Sequence, residues 1–439
     1  MSGIAEVLLN LGYKVSGSDL RESDITGRLQ EMGGIIYIGH KAEQVEKAEV
    51  VVTSSAVRPD NPEVLAARES NIPVVARAEM LAELMRLKKF GIAIAGSHGK
   101  TTTTSMAGWV LAQAGLDPTI VIGGKVNSLG TNAKMGEGEF LVAEADESDG
   151  SFLKLSPVLE VVTNIDLEHL DHYADIEEIK QIFLEFIDKI PFYGAAVICL
   201  DDPHIADLLK DIRKRIITYG MSKQADIHGR LVEARGQISR FEVFRKDELL
   251  GEIELQVPGI HNVYNALGVV ALGLELDISF AVIAAALGSY SGVQRRMQIK
   301  GEKNEITVID DYGHHPTEVR ATLAALKQAW PKRRAVVLFQ PHRYSRTKAL
   351  FKDFCTAFHD ADLLVLTDIY AASETPIKGV DGESLMVGVK EHGHRNAMYV
   401  QEMNKIPETV VPMLESGDIV LTLGAGNIWR IGEDILHRL

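Results

Sequence analysis

Residues 90–115, FGIAIAGSHGKTTTTSMAGWVLAQAG, contain the most informative motif of the chain. An apolar run typical of a β-strand leads directly into a glycine turn, and a helical period follows. This order aims free N–H groups and the positive end of a helix at an anion. The usual phosphate-binding pattern is GxxxxGK[ST], but here only Ser97 and His98 separate Gly96 from Gly99. The context favours a shortened phosphate loop over the alternative, a chance glycine turn.

The residues of this loop and of the following strand ends suit a phosphate with a bound metal ion. Lys100 would reach the β- and γ-phosphates, and the Thr101 hydroxyl would be a ligand of Mg²⁺. Mg²⁺ needs further oxygen ligands, and the next β run, in GEFLVAEADESDGSF, ends in the carboxylates of Glu144, Asp146, Glu147 and Asp149. A solvated acidic turn is the alternative for these carboxylates. His169 follows a third apolar run, and the pattern leaves open whether it contacts metal or phosphate or is structural.

The size and charge of the chain exclude several classes of protein. A length of 439 residues predicts two to four domains. The formal net charge of −15 argues against general nucleic-acid binding, which favours basic domains. We find no signal peptide and no apolar run of the ~18 residues that a membrane span needs. The expectation is therefore a cytoplasmic protein with no nucleic-acid or membrane partner.

Short β-rich runs alternate with longer helical periods along almost the whole chain, which predicts an α/β fold. We predict three domains, each built on a largely parallel sheet. They are a Rossmann-like domain over residues 1–89, a central P-loop domain over residues 90–293 and a Rossmann-like domain over residues 294–439. Residues 225–257 alternate in the β manner and are expected to add an antiparallel patch.

The beginning of the chain reads as helix, turn and strand, with Asp19 at the end of the strand. In a dinucleotide-type domain, such a helix follows an opening strand and a glycine-rich turn, and neither precedes it here. Residues 1–3 are either the remnant of a nucleotide-binding turn or part of a domain that never had one. The pattern leaves both readings open.

Two strand ends in the third block carry further polar side chains. The run VIDDYGHHPTE places Asp311, Tyr312 and His314 after one strand, and LFQPHRYSRTKAL places His342 after another. Arg343 and Arg346 are three residues apart, so on a helical turn they share a face. Paired guanidinium groups suit the recognition of carboxylate or phosphate. Surface arginines paired with glutamates are the alternative.

Several motifs follow one another along the chain: SGIAEVLLNLGYKVSGSD, AGSHGKTTTT, VAEADESDGSF, TNIDLEHLDHY, GIHNVYNALG, GVQRRMQ, DDYGHHPTE, PHRYSRT and LGAGNI. Together they resemble the Mur ligase family, and the likeness runs from Met1 to near Leu439. The short loop is shared by this superfamily, so the resemblance identifies it as an ATP loop of variant length. Within the family, the chain is most similar to the branch that adds the first amino acid to the peptidoglycan precursor. The opening strand and glycine-rich turn of the family are missing, and we expect a late-assigned start or a truncated chain.

The resemblance implies roles for individual residues. It places Lys100 on the phosphates and Thr101, Glu144 and His169 around Mg²⁺. The residues expected to bind ATP are Gly96, Ser97, His98, Gly99, Lys100, Thr101, Thr102, His261, Asn262, Asn265, Arg296 and Asp311. Those expected around the amino acid and the sugar are Tyr312, His314, His342, Arg343 and Arg346, and those expected near the uridine diphosphate are Ser2, Asp19, His40 and Ser55. Lys100, His169, His342 and Arg346 are expected to carry the catalysis.

The resemblance also implies a reaction, the ATP-dependent joining of L-alanine to the carboxylate of UDP-N-acetylmuramate through an acyl phosphate. ATP, Mg²⁺ and these two small molecules are then the expected ligands, and a monomer or homodimer is the expected assembly. The nearest alternative is a related ligase that attaches a recycled tripeptide to the same sugar. A P-loop kinase or motor ATPase is a more distant alternative, and a non-catalytic binding module is a third.

Overall fold

The computed structural model describes residues 1–54, 56–123, 133–169 and 172–439. The chain divides into two compact units. The first unit comprises Met1–Asp166, Glu177–His228 and Asn265–Ala286, and the second comprises Leu167–Ile176, Gly229–Tyr264 and Leu287–Leu439. In each unit, short strands alternate with helices, as the sequence predicts for an α/β fold.

The strands of the described residues are β1 (Ser16–Asp19), β2 (Ile35–Ile38), β3 (Val51–Thr53), β4 (Val74–Ala76), β5 (Phe90–Ala95), β6 (Thr119–Val121), β7 (Ala133–Lys134), β8 (Phe140–Glu144), β9 (Leu159–Val162), β10 (Ala195–Cys199), β11 (Ile216–Gly220), β12 (Ile227–Arg235), β13 (Ile238–Arg245), β14 (Glu248–Leu255), β15 (Gln298–Lys303), β16 (Ile306–Asp311), β17 (Ala335–Phe339), β18 (Leu363–Leu366), β19 (Ala397–Tyr399) and β20 (Ile419–Leu423).

The α-helices are α1 (Ser2–Asn10), α2 (Asp24–Glu31), α3 (Pro62–Glu69), α4 (Arg77–Arg86), α5 (Lys100–Gln113), α6 (Ile176–Ile187), α7 (Pro203–Leu208), α8 (Ile260–Glu275), α9 (Phe280–Gly288), α10 (Pro316–Ala329), α11 (Tyr344–Ala349), α12 (Phe351–Thr356), α13 (Gly382–Glu391), α14 (Ile406–Val410) and α15 (Trp429–Arg438). Short 3₁₀ helices lie at Ala42–Val45, Ser151–Lys154, Met403–Lys405 and Val411–Met413.

The main sheet of the first unit has the order β12–β11–β10–β9–β5–β8–β6–β7. Neighbouring strands are parallel, except that β7 is antiparallel to β6. The chain leaves β5 for strands on one side and returns to β9 on the other, so the winding changes direction at β5. In open α/β sheets, ligands bind beyond the carboxyl ends of the strands at such a point.

The sequence explains why β5 lies at the centre of this sheet. Ile92, Ala93, Ile94 and Ala95 are fully buried, as expected for a parallel strand that is covered on both faces. Helix α5 can pack closely because Gly108 lacks a side chain, since a Cβ there would lie 2.6 Å from the Cδ1 of Ile120. The predicted order of strand, glycine turn and helix in residues 90–115 is therefore confirmed.

Two smaller pairs of parallel strands lie at the start of the first unit. β1 pairs with β2, and β3 pairs with β4. Among the described residues, no strand joins the two pairs into one sheet. The predicted opening helix and the strand ending at Asp19 are confirmed.

The second unit contains a sheet of order β15–β16–β20–β17–β18–β19, parallel except for β15 against β16. Successive strand residues point to opposite faces, and each face has its own core. Ile309 and Val337 belong to one core and Val308 and Val336 to the other. Because helices cover both faces, this is the doubly wound sheet that the sequence predicts.

The predicted antiparallel patch at residues 225–257 is confirmed for β13 and β14, which form an antiparallel pair. It is wrong for the start of β12, because Tyr219 and Gly220 of β11 pair in parallel with Ile227 and His228. The described helices include none that is long and apolar enough to span a bilayer.

Candidate active site

The phosphate loop of the first unit has a backbone that only glycine adopts easily at two positions. Gly96 has φ of +128°, and a Cβ there would lie 2.1 Å from the Oγ1 of Thr163. Gly99 has φ of +84° and immediately precedes α5, and a Cβ there would lie 2.6 Å from the Oδ1 of Asn265. Both glycines of the motif are therefore required by strain and by space.

The end of β9 holds this loop in shape through side-chain hydrogen bonds. The N–H of His98 donates to Asn164 Oδ1 at 2.8 Å, and Asn164 Nδ2 donates back to the His98 carbonyl at 3.0 Å. Thr163 Oγ1 donates to the same carbonyl at 2.6 Å. The Nε2 of His98 lies 2.9 Å from Asp166 Oδ2, within hydrogen-bond distance, and the N–H of Asp166 donates to Ser97 Oγ at 2.8 Å. The site residues chosen from the sequence omit Thr163, Asn164 and Asp166.

Lys100 begins α5, and its ammonium group lies over the loop. The Nζ atom donates to the carbonyls of Gly96 at 2.6 Å and Ser97 at 3.1 Å. The carboxylate oxygens of Glu147 lie 2.9 Å and 2.8 Å away. Glu147 has only 1% of its surface exposed. It was not among the predicted site residues, although it lies in the acidic run that follows β8.

The predicted magnesium ligands of the first unit carry the right donor atoms. Thr101 offers a hydroxyl in the first turn of α5, and Glu144 ends β8. The N–H of Gly123 donates to Glu144 Oε1 at 2.9 Å, which fixes the carboxylate. Hydroxyl and carboxylate oxygens suit a hard cation such as Mg²⁺. Thr102 is buried in the same turn.

Helix α8 carries the residues predicted to bind adenine. Asn262 is buried, and its Nδ2 donates to the Pro258 carbonyl at 2.7 Å. Burial, and then the charge of Arg296, lower the pKa of His261 to about 4, so that its imidazole is neutral at pH 7. Asn265 lies in the first unit beside Gly99.

The second unit presents Arg296 from a strained turn. Its neighbours Arg295 and Met297 have φ of 60° and 46°, a region that non-glycine residues rarely adopt. Two buried carboxylates hold them. Asp310 Oδ2 lies 3.0 Å from the Nε of Arg295, and Asp311 Oδ2 accepts the N–H of Met297 at 2.8 Å. Strain of this kind marks functional sites in many proteins.

Asp311 is nearly enclosed. Its Oδ1 accepts the N–H of Gly313 at 2.8 Å and the hydroxyl of Thr322 at 3.2 Å. Burial raises the pKa of Asp311, and the charge of Arg296 opposes that rise. The carboxylate therefore organises the turn at the end of β16, and its predicted contact with the ribose stays a prediction.

Glu318 connects two predicted ligand-binding residues. Its Oε1 lies 3.6 Å from an Nη of Arg296, and its Oε2 accepts the N–H of His314 at 3.0 Å. The guanidinium of Arg296 also lies 5.4 Å from the centre of the Tyr312 ring. Sequence reasoning missed Glu318, although its position at the start of α10 is a recognisable capping position.

His314, His342 and Arg346 form one cluster with Glu168. The rings of the two histidines are 5.8 Å apart. An Nη of Arg346 lies 3.3 Å from both the Nδ1 and the carbonyl oxygen of His342. The Nε of Arg346 lies 4.0 Å from Glu168 Oε1, and the Glu168 side chain is 8% exposed. The three basic members are predicted site residues, and Glu168 was not chosen as one.

Both histidines of this cluster are neutral at pH 7. Burial lowers the pKa of His314 to about 4, with Glu318 opposing that change. Burial, and then His314 and Arg346, lower the pKa of His342 to about 3. The Nδ1 of His314 lies 3.1 Å from the carbonyl oxygen of Tyr312, so it carries the proton. Its Nε2 is left with a lone pair that can accept a hydrogen bond.

Arg343 and His169 have unusual backbones. Arg343 has φ of 71° and precedes α11, and its Nε lies 4.0 Å from Glu374 Oε1. Glu374 also accepts the N–H of Ser345 at 3.0 Å. His169 has φ of 56°, and its Nε2 lies 3.7 Å from Glu168 Oε2. His169 belongs to the second unit.

The residues predicted near the uridine diphosphate lie at the start of the first unit. Ser2 begins α1, and Asp19 is exposed at the end of β1. His40 follows β2, and its Nδ1 lies 3.0 Å from Ser18 Oγ and 3.1 Å from Glu63 Oε2. Ser18 and Glu63 were not predicted. Ser55 lies outside the described residues.

Three family models match successive parts of the chain. The model for the Mur ligase family, catalytic domain, matches residues 1–89. The model for the Mur ligase middle domain matches residues 94–273, and that for the Mur ligase, glutamate ligase domain, matches residues 295–426. The chain belongs to the Mur ligase family. The predicted fold class of three α/β domains is confirmed for this Mur ligase.

Named relatives match the Mur ligase over its whole length. The UDP-N-acetylmuramate–L-alanine ligase of Desulfotalea psychrophila is 63% identical over 439 residues, which are 100% of this chain and 96% of that protein. The ligase of the same name from Geotalea uraniireducens is 60% identical and covers 100% of this chain and 95% of that protein. The resemblance inferred from the motifs is confirmed.

Solved structures agree with this assignment. UDP-N-acetylmuramate-alanine ligase MurC from Thermotoga maritima matches 100% of this Mur ligase and 96% of its own chain, with a TM-score of 0.85 and 29% identity. A murein peptide ligase from Psychrobacter arcticus has a TM-score of 0.72 at 23% identity, over 100% of this chain and 96% of its own. That second likeness shows the fold alone.

Proposed function

We propose that this Mur ligase uses ATP to join L-alanine to the carboxylate of UDP-N-acetylmuramate, with release of ADP and phosphate. The observation that carries the proposal is the 63% identity, over the whole chain, to a protein named UDP-N-acetylmuramate–L-alanine ligase. The braced phosphate loop and the cluster of His314, His342 and Arg346 support it, because they supply a phosphate site and a site for a small zwitterion.

The proposed chemistry has two steps. An oxygen of the muramyl carboxylate forms a bond to the γ-phosphorus of ATP, the bond from that phosphorus to the bridging oxygen breaks, and ADP leaves. The alanine amine then forms a C–N bond to the acyl phosphate, the C–O bond to the phosphate breaks, and phosphate leaves. The alanine ammonium loses one proton to solvent before the attack, which frees the nitrogen lone pair, and the nitrogen loses a second proton to solvent after the C–N bond forms.

The first unit supplies the groups for the phosphates. The ammonium of Lys100 and the free N–H groups at the start of α5 stabilise negative charge on the transferred phosphoryl group. Mg²⁺, when bound, would neutralise further phosphate charge. Thr101 and Glu144 are the proposed ligands of that ion, and His169 is proposed as a further ligand.

The second unit supplies groups for the amino acid. The guanidinium groups of Arg343 and Arg346 suit the carboxylates of L-alanine and of the sugar. The neutral imidazoles of His314 and His342 add no positive charge there. The Nε2 lone pair of His314 can accept a hydrogen bond from the alanine ammonium, which orients the nitrogen before it attacks.

We also propose domain boundaries near residues 89 and 293, a cytoplasmic location, and a monomer or homodimer. The ranges of the three family models support these boundaries. The location is supported by the proposed use of ATP and of a nucleotide-linked sugar.

A phosphate-release assay with purified protein tests the function. Release is expected to require ATP, UDP-N-acetylmuramate and L-alanine together. Lys100→Ala is expected to lower turnover by at least about 10²–10³-fold, since it removes a preorganised charge from the phosphate site. The matched control is Lys89→Ala in the same unit, because Lys89 is exposed, and its contacts, an ion pair with Glu139 and a cation–π contact with the Phe90 ring, lie at the surface. Near-normal turnover of Lys100→Ala would rule out the proposed role.

The same assay separates the alternatives. Turnover with L-alanyl-γ-D-glutamyl-meso-diaminopimelate in place of L-alanine would identify a tripeptide-recycling ligase. ATP hydrolysis that is independent of any carboxylate or amine would identify an ATPase. ATP binding without turnover, in a titration with the sugar nucleotide, would identify a binding module.

A further inference from the structure

Three polar side chains at the start of the first unit form a closed triangle. The hydroxyl of Ser18 donates to Glu63 Oε2 at 2.7 Å. The Nδ1 of His40 lies 3.0 Å from Ser18 Oγ and 3.1 Å from the same oxygen of Glu63. Ser18 is on β1, His40 follows β2, and Glu63 is in the first turn of α3. Three separate elements therefore build this triangle.

The triangle lies at a sheet edge where α/β proteins bind ligands. β1 and β2 are parallel, with Ser18 opposite Tyr37 and Asp19 opposite Ile38. Ser18 and His40 therefore stand at the carboxyl ends of adjacent parallel strands, where ligands bind in such sheets.

The geometry fixes which nitrogen of His40 carries its proton. An ionised Glu63 carboxylate can only accept hydrogen bonds, and Ser18 uses its one proton to donate to Glu63. The Nδ1 of His40 thus faces two acceptors and must itself carry hydrogen. An Nδ1 without hydrogen would place its lone pair against the Glu63 carboxylate oxygen, and water could not separate the two well because the Glu63 side chain is only 13% exposed.

The other nitrogen is then free to meet a ligand. In a neutral imidazole with hydrogen on Nδ1, the Nε2 atom has a lone pair and is an acceptor. No described residue bonds to Nε2, and the His40 side chain is 25% exposed. The neighbouring Asp19 adds an exposed carboxylate to this edge. Both groups accept hydrogen bonds, so the edge suits hydroxyl or imide N–H donors better than phosphate oxygens.

We propose that Ser18 and Glu63 are positioning residues that hold His40 in the Nδ1–H tautomer, so that its Nε2 accepts a hydrogen bond from an N–H or O–H group of a nucleoside-diphosphate sugar. This inference rests on the proposed function for the identity of the ligand. In this proposal, Ser18 and Glu63 affect only the binding of the sugar nucleotide, and they do so through His40.

The first test is the tautomer itself. Imidazole ¹⁵N NMR of the full chain, with the His40 signals assigned from a His40→Ala variant, is expected to show hydrogen on Nδ1 of His40. Glu63→Ala is expected to shift the signal toward the Nε2–H form. A residue that served only to stabilise the fold would leave the tautomer unchanged. An Nε2–H signal in the wild-type protein would overturn the proposal.

The second test is kinetic. Glu63→Ala is expected to raise the KM for UDP-N-acetylmuramate about three- to tenfold, the effect of one misplaced hydrogen bond, with kcat and the KM values for ATP and L-alanine unchanged. Glu63→Gln keeps an amide oxygen in place and is expected to restore most of the loss. Glu69→Ala, an exposed glutamate on the same helix, is the matched control.

The combination of variants decides between the outcomes. In a His40→Ala background, Glu63→Ala is expected to raise the KM no further, because it acts through His40. An additive effect, or an unchanged KM in both Glu63→Ala and Ser18→Ala, would refute the positioning role. If the wild-type protein shows no turnover that depends on the sugar nucleotide, the proposed function has failed, and the NMR result still reports on the tautomer.

Discussion

Glu160 lies in the middle of β9, in the core of the first unit, with no exposed surface. Its neighbours across the sheet are Ala93 on β5 and Ala196 on β10, and these two small side chains leave room for it. Neither carboxyl oxygen has a hydrogen-bond partner among the described residues. Burial raises the pKa of Glu160 well above its ordinary value, and the charges of Lys189 and Lys214 only partly oppose that rise.

Replacing this carboxyl with a similar apolar side chain is expected to stabilise the protein. A buried polar group without a partner costs about 1–3 kcal/mol, so Glu160→Met should raise the free energy of unfolding by about that amount at pH values near 5. The folded protein also holds the proton of Glu160 more tightly than the unfolded chain does. This tighter proton binding stabilises the folded state fully below the unfolded pKa of Glu160. The stabilisation is lost as the pH rises through the folded pKa, so the wild-type protein becomes less stable at higher pH.

The advantage of Glu160→Met should therefore grow with pH, at a slope of at most about 1.4 kcal/mol per pH unit for one proton. Urea unfolding followed by circular dichroism, at several values between about pH 5 and about pH 9, measures both the offset and the slope. Glu185→Met is the control, since Glu185 is exposed on α6 and a surface substitution usually changes stability by no more than about 0.5 kcal/mol. A variant that is less stable than wild type, or that keeps the wild-type pH profile, would refute this reasoning.

Two further variants test the site. In Gly99→Ala, the alanine must adopt φ of +84° and place its Cβ 2.6 Å from Asn265 Oδ1. Since such strain costs about 1–3 kcal/mol, we expect kcat/KM for ATP to fall at least about tenfold. An unchanged value would show that the loop tolerates a side chain. Arg346→Lys loses the guanidinium contacts to His342 and Glu168. We expect the KM for L-alanine to rise by about 10–100-fold, because an ammonium cannot replace the planar pair of N–H donors that a guanidinium offers to a carboxylate. A change confined to the KM for ATP would contradict the assignment of Arg346 to the amino acid.

Long apolar runs made most of the fold predictable. The strands around Ile92, Val308 and Val336 are fully buried, and such strands have the continuous hydrophobic pattern that their sequences show. The strands β4, β7 and β19 have two or three residues each, and they were not predicted. A run of that length has no measurable period, so only the neighbouring strand that pairs with it makes it a strand.

The site was predictable where its residues are close together in the sequence. The loop from Gly96 to Lys100 is one local motif, and its context gave the strand and the helix. Which carboxylate pairs with which polar or basic group was not predicted, and for several pairs the partners are distant in the sequence. Glu147 is 47 positions from Lys100, and Glu63 is 23 positions from His40. Only the folded chain shows which acid meets which base.

The hydrogen bonds that Thr163, Asn164 and Asp166 make to the phosphate loop have a practical consequence for inhibitor design. The protein itself sets the contour of the loop, so a small anionic fragment would meet a finished surface and lose little affinity to ordering it. Under the proposed function the same contour binds the phosphates of ATP, so a substitution that reshaped it and lowered the fragment's affinity would also weaken ATP binding, which narrows the routes to resistance.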